Sequence, residues 1–125
     1  MTTTLTAMLH VPDVEPTAAW YARLGFTIDG TASDGDETIW ARLTLGDQAI
    51  MLNCGGRPPE HDRRDVDLYI GVDDIDARRA ELPEEIEVIR DLYLAYHGTR
   101  EFIIRDPNGF WITFGQWVGE PEASD

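Results

Sequence analysis

REFIIRDPNGFWITFGQW, residues Arg100 to Trp117, decides the fold. Two β-prone runs flank Asp106-Pro107-Asn108-Gly109. Pro107 pre-sets one turn angle, and Asn108 and Gly109 tolerate the positive φ that closing a hairpin needs. A four-residue loop predicts that Arg105 pairs with Phe110, Ile103 with Ile112 and Glu101 with Phe114. Strand side chains alternate, so those six share one face, which is mostly apolar and is expected to pack on a helix; Glu101 is structural on this reading. Phe102, Ile104, Trp111 and Thr113 then share the other face, with Arg100 and Gly115 at its far end. That mixture of aromatic, aliphatic, hydroxyl and charged groups suits a ligand.

Upstream, Leu5 to Val11 is a short β-prone run, and Asp13 reads as the N-cap of a helix through Leu24, with Glu15 and Pro16 in its first turn and Gly25 as its stop. Phe26 to Asp29 starts a strand, Thr31 to Glu37 is a polar loop, and Thr38 to Leu45 with Gln48 to Asn53 forms a hairpin about Gly46-Asp47. Cys54 to Arg64 (CGGRPPEHDRR) reads as a linker. The pattern then begins again. Asp65 to Val72 is a strand, and Asp74 caps a helix with Ile75 and Leu82 on one stripe. Ile86 to Leu92 is a strand, Tyr93 to Thr99 a loop, and Gly119 to Asp125 an acidic tail expected to fray.

The recurrence is measurable. An offset of 61 lays Val11 on Val72, Asp13 on Asp74 and Val14 on Ile75. Taking the second hairpin turn as two residues longer makes the offset 60 before it and 62 after, so Leu43 falls on Ile103, Ile50 on Ile112 and Leu52 on Phe114. The chain is therefore expected to be α+β, two tandem βαβββ modules (residues 5–54 and 65–118) forming curved mixed sheets around a central cavity, one domain over residues 1–125.

Composition narrows the function classes. A 42% hydrophobic chain of 125 residues with four Trp, four Tyr and four Phe is a folded globule. The single Cys54 rules out an intramolecular disulfide and a Cys-rich zinc site. No apolar run approaches membrane-spanning length and the start lacks a leader pattern, so a cytoplasmic protein without a membrane partner is expected. A formal charge of −14, with every basic residue an Arg, makes nucleic acid a poor partner. The same acidity serves solubility or draws in a cationic small molecule. No nucleophile motif, phosphate loop or dinucleotide fingerprint is present.

HVPDVEPTAAWYARLGF, WARLTLGDQAIMLN, DLYIGVDDIDARRAEL and REFIIRDPNGFWITFGQ, in that order, resemble the vicinal oxygen chelate superfamily of glyoxalase-like proteins, extradiol dioxygenases and bleomycin-resistance proteins. The resemblance covers nearly the whole chain. It implies that the metal-ligand positions of the superfamily's metalloenzymes, on the first, fourth, fifth and eighth strands, fall on Thr6, Met51, Asp67 and Thr113. Only Asp67 is a good divalent-metal ligand, so no metal or other cofactor is expected. The resemblance is then closest in type to the bleomycin-resistance proteins, which sequester a drug unaltered, usually as homodimers.

Strand parity assigns the cavity lining: His10 with Thr6 and Met8 on the first strand; Trp40, Arg42, Thr44, Met51 and Asn53 on the first hairpin; Asp67 and Tyr69 on the fifth strand; Arg100, Phe102, Ile104, Trp111 and Thr113 on the second hairpin. The aromatic rings offer flat surfaces to a planar ligand, and Asp67 offers a counter-charge. Each has a competing structural role. Trp40, Trp111 and Tyr69 are also core-filling residues, Asp67 is also a partner for Arg42 or Arg100, and His10 is also a core histidine. His97 is a candidate gate in its loop, and His61 belongs to the linker.

Two function classes follow. The first is a metal-free, acidic binder that sequesters a small aromatic molecule, cationic ones included, such as an antibiotic. The second is a lyase, isomerase or dioxygenase-type enzyme of the same superfamily, with an atypical metal site or with Asp67 or His10 as general base. A ligand-sensing module is a third, disfavoured by the lack of an effector domain.

Overall fold

A computed structural model describes residues 3–95 and 98–119. The chain divides into two units, Met1–Glu60 and His61–Asp125. The first contains β1 (Ala7–His10), α1 (Val14–Leu24), β2 (Thr27–Asp34), β3 (Glu37–Leu45) and β4 (Gln48–Asn53). The second contains β5 (Asp67–Gly71), α2 (Ile75–Ala80), β6 (Glu87–Leu94), β7 (Thr99–Arg105) and β8 (Trp111–Trp117). Each unit is a βαβββ module. The strand orders, β1-β4-β3-β2 and β5-β8-β7-β6, are the same; the β1–β4 and β5–β8 pairs are parallel and the rest antiparallel.

In the first unit α1 buries Val14, Thr17, Ala18, Tyr21 and Leu24, the three-and-four spacing of one helical stripe. Asp13 stands at the N-cap without a side-chain cap bond; instead the Thr17 hydroxyl donates to the Asp13 carbonyl at 2.7 Å. Gly25, at φ 117°, ends the helix in the left-handed conformation that a residue with a Cβ avoids. The stripe covers the buried face of the sheet, made by Leu9, Ala41, Leu43, Ile50 and Leu52. Past β4 the chain crosses the end of β1 at backbone contact. Gly56 N–H donates to the Val11 carbonyl at 3.2 Å, and a Cβ on Gly56 would lie 2.2 Å from the His10 carbonyl carbon.

The residues expected to loop from Thr31 to Glu37 are mostly strand. β2 runs to Asp34 and turns tightly at Gly35, whose φ of 61° a polar, Gly-containing stretch permits. A register shift between Ile28 and Gly30 bulges Asp29 out, where its carboxylate accepts from Arg42.

In the second unit Asp74 does cap its helix, accepting from Ala77 N–H at 3.0 Å. α2 is only six residues long, and Leu82 lies beyond it, off the stripe expected to hold it with Ile75. Ile75 is fully buried, and Arg78 and Arg79 lay their guanidinium groups over the Phe114 and Phe102 rings. A short helix thus covers a broad apolar face with one aliphatic side chain and two cationic planes.

The second hairpin departs from its expected register by one residue. Arg105 pairs with Trp111, Ile103 with Thr113 and Glu101 with Gly115. The loop has five residues because the buried Asp106 carboxylate accepts from the N–H groups of Asn108 (2.7 Å) and Phe110 (2.9 Å), drawing Phe110 into the turn. A one-residue slip exchanges the faces of β7 relative to β8. Phe102 and Ile104 are therefore core, both fully buried, opposite Phe114 and Ile112. Arg100 goes with them and pairs with Asp76 of α2 at 2.5 Å. Glu101 moves to the opposite face.

Candidate functional site

Each sheet has one face under its helix and one face away from it. On the first unit, β1 and β4 set Met8 beside Met51 and His10 beside Asn53, while β3 sets Trp40 opposite Asn53 and Arg42 opposite Met51. His10, Trp40, Arg42, Met51 and Asn53 thus share the face away from α1, as parity predicts. The Trp40 ring lies over Gly30, where an added Cβ would sit 3.4 Å from it. Arg42 is committed to Asp29. Thr6 lies just before β1.

On the second unit the corresponding face carries Asp67, Tyr69, Trp111 and Thr113, joined by Glu101, Ile103 and Arg105 from β7 and by Arg90 and Tyr93 from β6. At its centre is Glu101, 5% exposed. Its carboxylate accepts from the Tyr69 hydroxyl at 2.7 Å and the Tyr93 hydroxyl at 2.5 Å. The two phenol donors fix the position of the carboxylate. Tyr69 reaches this position because Gly115 has no side chain; a Cβ there would lie 2.0 Å from its hydroxyl oxygen. The Arg90 guanidinium lies 3.7 Å over the Tyr93 ring.

Burial, the hydrogen bond to Glu101 and its negative charge push both Tyr69 and Tyr93 up to about 12 from 10.0. Tyrosines in the unfolded chain ionise near 10, so between pH 10 and 12 the folded protein keeps protons that the unfolded one has lost. Stability from this pair is thus complete below pH 10 and falls as pH rises toward 12. Ultraviolet titration should show Tyr69 and Tyr93 ionising near pH 12, and Glu101→Gln should move both midpoints part-way back toward 10, since burial remains.

Asp67 does not pair with Arg100, which is held by Asp76. Its partner is Arg63 of the connecting segment, which reaches both carboxylate oxygens and sets its guanidinium 4.2 Å over the Trp111 ring. The Trp111 indole N–H donates to the Asp62 carbonyl at 3.1 Å. Of the expected lining, then, His10, Trp40, Arg42, Met51 and Asn53 gather on one unit's open face, and Asp67, Tyr69, Trp111 and Thr113 on the other's. Phe102 and Ile104 do not reach it. Glu101 and Tyr93 were missed, the first through the register and the second because β6 runs on to Leu94, into the start of the stretch expected to loop. His97 lies outside the described residues.

The sequence model of the Glyoxalase/Bleomycin resistance protein/Dioxygenase superfamily matches residues 4–114. The chain belongs to that superfamily. Solved structures of similar fold include TioX from Micromonospora sp. ML1 (18% identity, 94% of this chain and 100% of that one, TM-score 0.77). A bleomycin resistance determinant encoded on the transposon Tn5 is similar over 94% of this chain and 100% of its own (21% identity, TM-score 0.70). A bleomycin-binding protein complexed with bleomycin is similar over 92% and 98% (21% identity, TM-score 0.69). No curated protein sequence matches the chain.

The glyoxalase and bleomycin-resistance superfamily includes metalloenzymes, so its metal positions are a test of this chain. Met51 stands opposite Met8, Thr113 opposite Tyr69 and Asp67 opposite Trp111. On the first unit Thr6 and Met51 offer a hydroxyl and a thioether, and on the second Asp67 and Thr113 offer a carboxylate already bound by Arg63 and a hydroxyl; neither pair suits a divalent transition metal, which wants imidazole, thiolate or several carboxylates. Among the described residues no group of three or more His, Cys, Asp or Glu is placed to hold a metal ion. Among them, too, no helix is long and apolar enough to cross a membrane.

Proposed function

We propose that this protein binds and sequesters a small aromatic, cationic molecule such as an antibiotic, without a metal and without altering it. The observation that carries the reading is Glu101, a nearly buried carboxylate gripped by two phenols on an open sheet face. A fixed negative charge beneath aromatic rings attracts a flat cation through stacking and Coulomb attraction together. A net charge of −14 adds a long-range pull of the same sign. The fold shared with a bleomycin-binding protein supports the same reading. His10, Trp40, Met51, Asn53, Asp67, Trp111 and Thr113 belong to the proposed binding faces.

The proposal includes a cytoplasmic homodimer. Leu94, Trp117 and Val118 are each more than half exposed, an apolar set that a second copy would cover. A single cysteine suits a reducing compartment.

Calorimetric titration with bleomycin and with planar cationic dyes tests the reading. Saturable one-site binding is expected with at least one of them, weakened by about tenfold or more in Glu101→Gln, the size of one charge-assisted contact. No heat with any of these ligands would contradict it.

A further inference from the structure

Trp111 and Asp67 already hold a guanidinium, and it belongs to the protein itself. Arg63 lies in the connecting segment, outside any helix or strand, yet its group is placed as a ligand's would be. Its central carbon lies over the indole, 4.2 Å from the ring centroid, and its N–H groups fork onto the Asp67 carboxylate. Stacking plus two-point carboxylate pairing is how a protein recognises a planar cation.

The flanking residues tie the segment down independently of Arg63. The Asp62 carbonyl accepts from Trp111 and from Arg105, both at 3.1 Å. Arg64 N–H donates to the Gly109 carbonyl at 2.9 Å, Arg64 Nε donates to the Asn108 carbonyl at 2.7 Å, and its guanidinium lies over the Phe110 ring. The Arg63 side chain is 53% exposed, so solvent screens its ion pair and its hold on the site is weak. Beside it opens a hollow of about 420 Å³ lined by Arg63, Arg64, Asp65 and Asp67, within the size range of small-molecule pockets.

We propose that Trp111 and Asp67 form a subsite for a guanidinium, amidinium or similarly flat cation, which Arg63 fills in the free protein and which a ligand enters by displacing it. The ligand's cation takes over the indole face and the carboxylate, and the Arg63 side chain swings into the hollow while Asp62 and Arg64 hold the segment in place. Arg63 thereby lowers the apparent affinity and rejects ligands that lack a planar cation to replace it. This rests on the binding reading above and names the ligand class for one part of the face.

The test is a titration with benzamidinium, followed by NMR through the Trp111 indole N–H, whose resonance is identified by its loss in Trp111→Phe. Arg63→Ala should bind at least about tenfold tighter than the unaltered protein, and Arg63→Ala/Asp67→Asn should lose that gain. Equal affinity with and without Arg63 would overturn the proposal. So would a gain that survives Asp67→Asn, or one that shifts a different indole. If benzamidinium follows the expected pattern while bleomycin and the dyes give no heat, the subsite stands and the sequestration reading fails. The reverse pattern rejects the subsite alone.

Discussion

Phe102→Ala is expected to destabilise the second unit by about 3–5 kcal/mol, the range for emptying a buried aromatic site. Phe102 is fully buried, and its ring stacks on Phe114 with centroids 4.9 Å apart and planes 10° from parallel. Arg79 lies over it from α2 at 6.0 Å, so the truncation also strips a guanidinium of its aromatic support. Denaturant unfolding should show a large fall in midpoint. In the register expected from a four-residue turn, Phe102 would stand on the open face, where truncation would weaken ligand binding and barely change stability. Glu101→Gln should behave oppositely, losing ligand affinity at modest cost to the fold. The two substitutions together distinguish the registers by sign.

Gly56→Ala is expected to cost about 3 kcal/mol or more, an exceptional penalty for adding one methyl group. The new Cβ would lie 2.2 Å from the carbonyl carbon and oxygen of His10 and 2.4 Å from Val11 N. These are backbone atoms of a strand already bonded to β4, so they cannot rotate away as a side chain would. Relief requires the segment after β4 to lift off the end of β1, losing the bond from Gly56 N–H to the Val11 carbonyl. Gly71→Ala is the control, since a Cβ there meets nothing within 4 Å, and its unfolding midpoint should stay within about 1 kcal/mol of the original. A similar loss from both would mean that backbone entropy, not the crossing, sets the cost.

Alternation and turn length in the sequence account for much of the fold. The bounds of β4 match the sequence expectation to the residue, and the open face of the first unit follows from alternation alone, because a two-residue turn at Gly46-Asp47 leaves the register no freedom. The second hairpin offered more freedom. Pro107, Asn108 and Gly109 signal its turn, and nothing in those residues reveals that the Asp106 carboxylate takes the N–H of Phe110 as well. A signal was present in the repeat. The offset of 61 that aligns Val11 with Val72 also lays Ala41 on Phe102 and Leu43 on Ile104, all four fully buried. Keeping that offset up to the turn would have placed Glu101 on the open face. Arg63 was illegible for a different reason, since no periodicity governs a linker side chain. Its place depends on how Asp62 and Arg64 dock on the turn.

Glu101 also shows why acidity was ambiguous as a clue. Among the described residues several surface carboxylates face arginines, as Asp91 does Arg79 and Glu87 does Arg105, and serve the fold. Glu101 differs in accepting from two phenols, a distinction that charge counting in a sequence does not make.

The most direct test of metal-free sequestration is equilibrium dialysis of the protein against bleomycin or a planar cationic dye in buffer with excess chelator, followed by mass analysis of the released ligand. Undiminished binding under chelation, with the ligand recovered at its original mass, is the expected result. Binding that vanishes until a divalent metal is restored, or a ligand returned with a changed mass, would contradict the account.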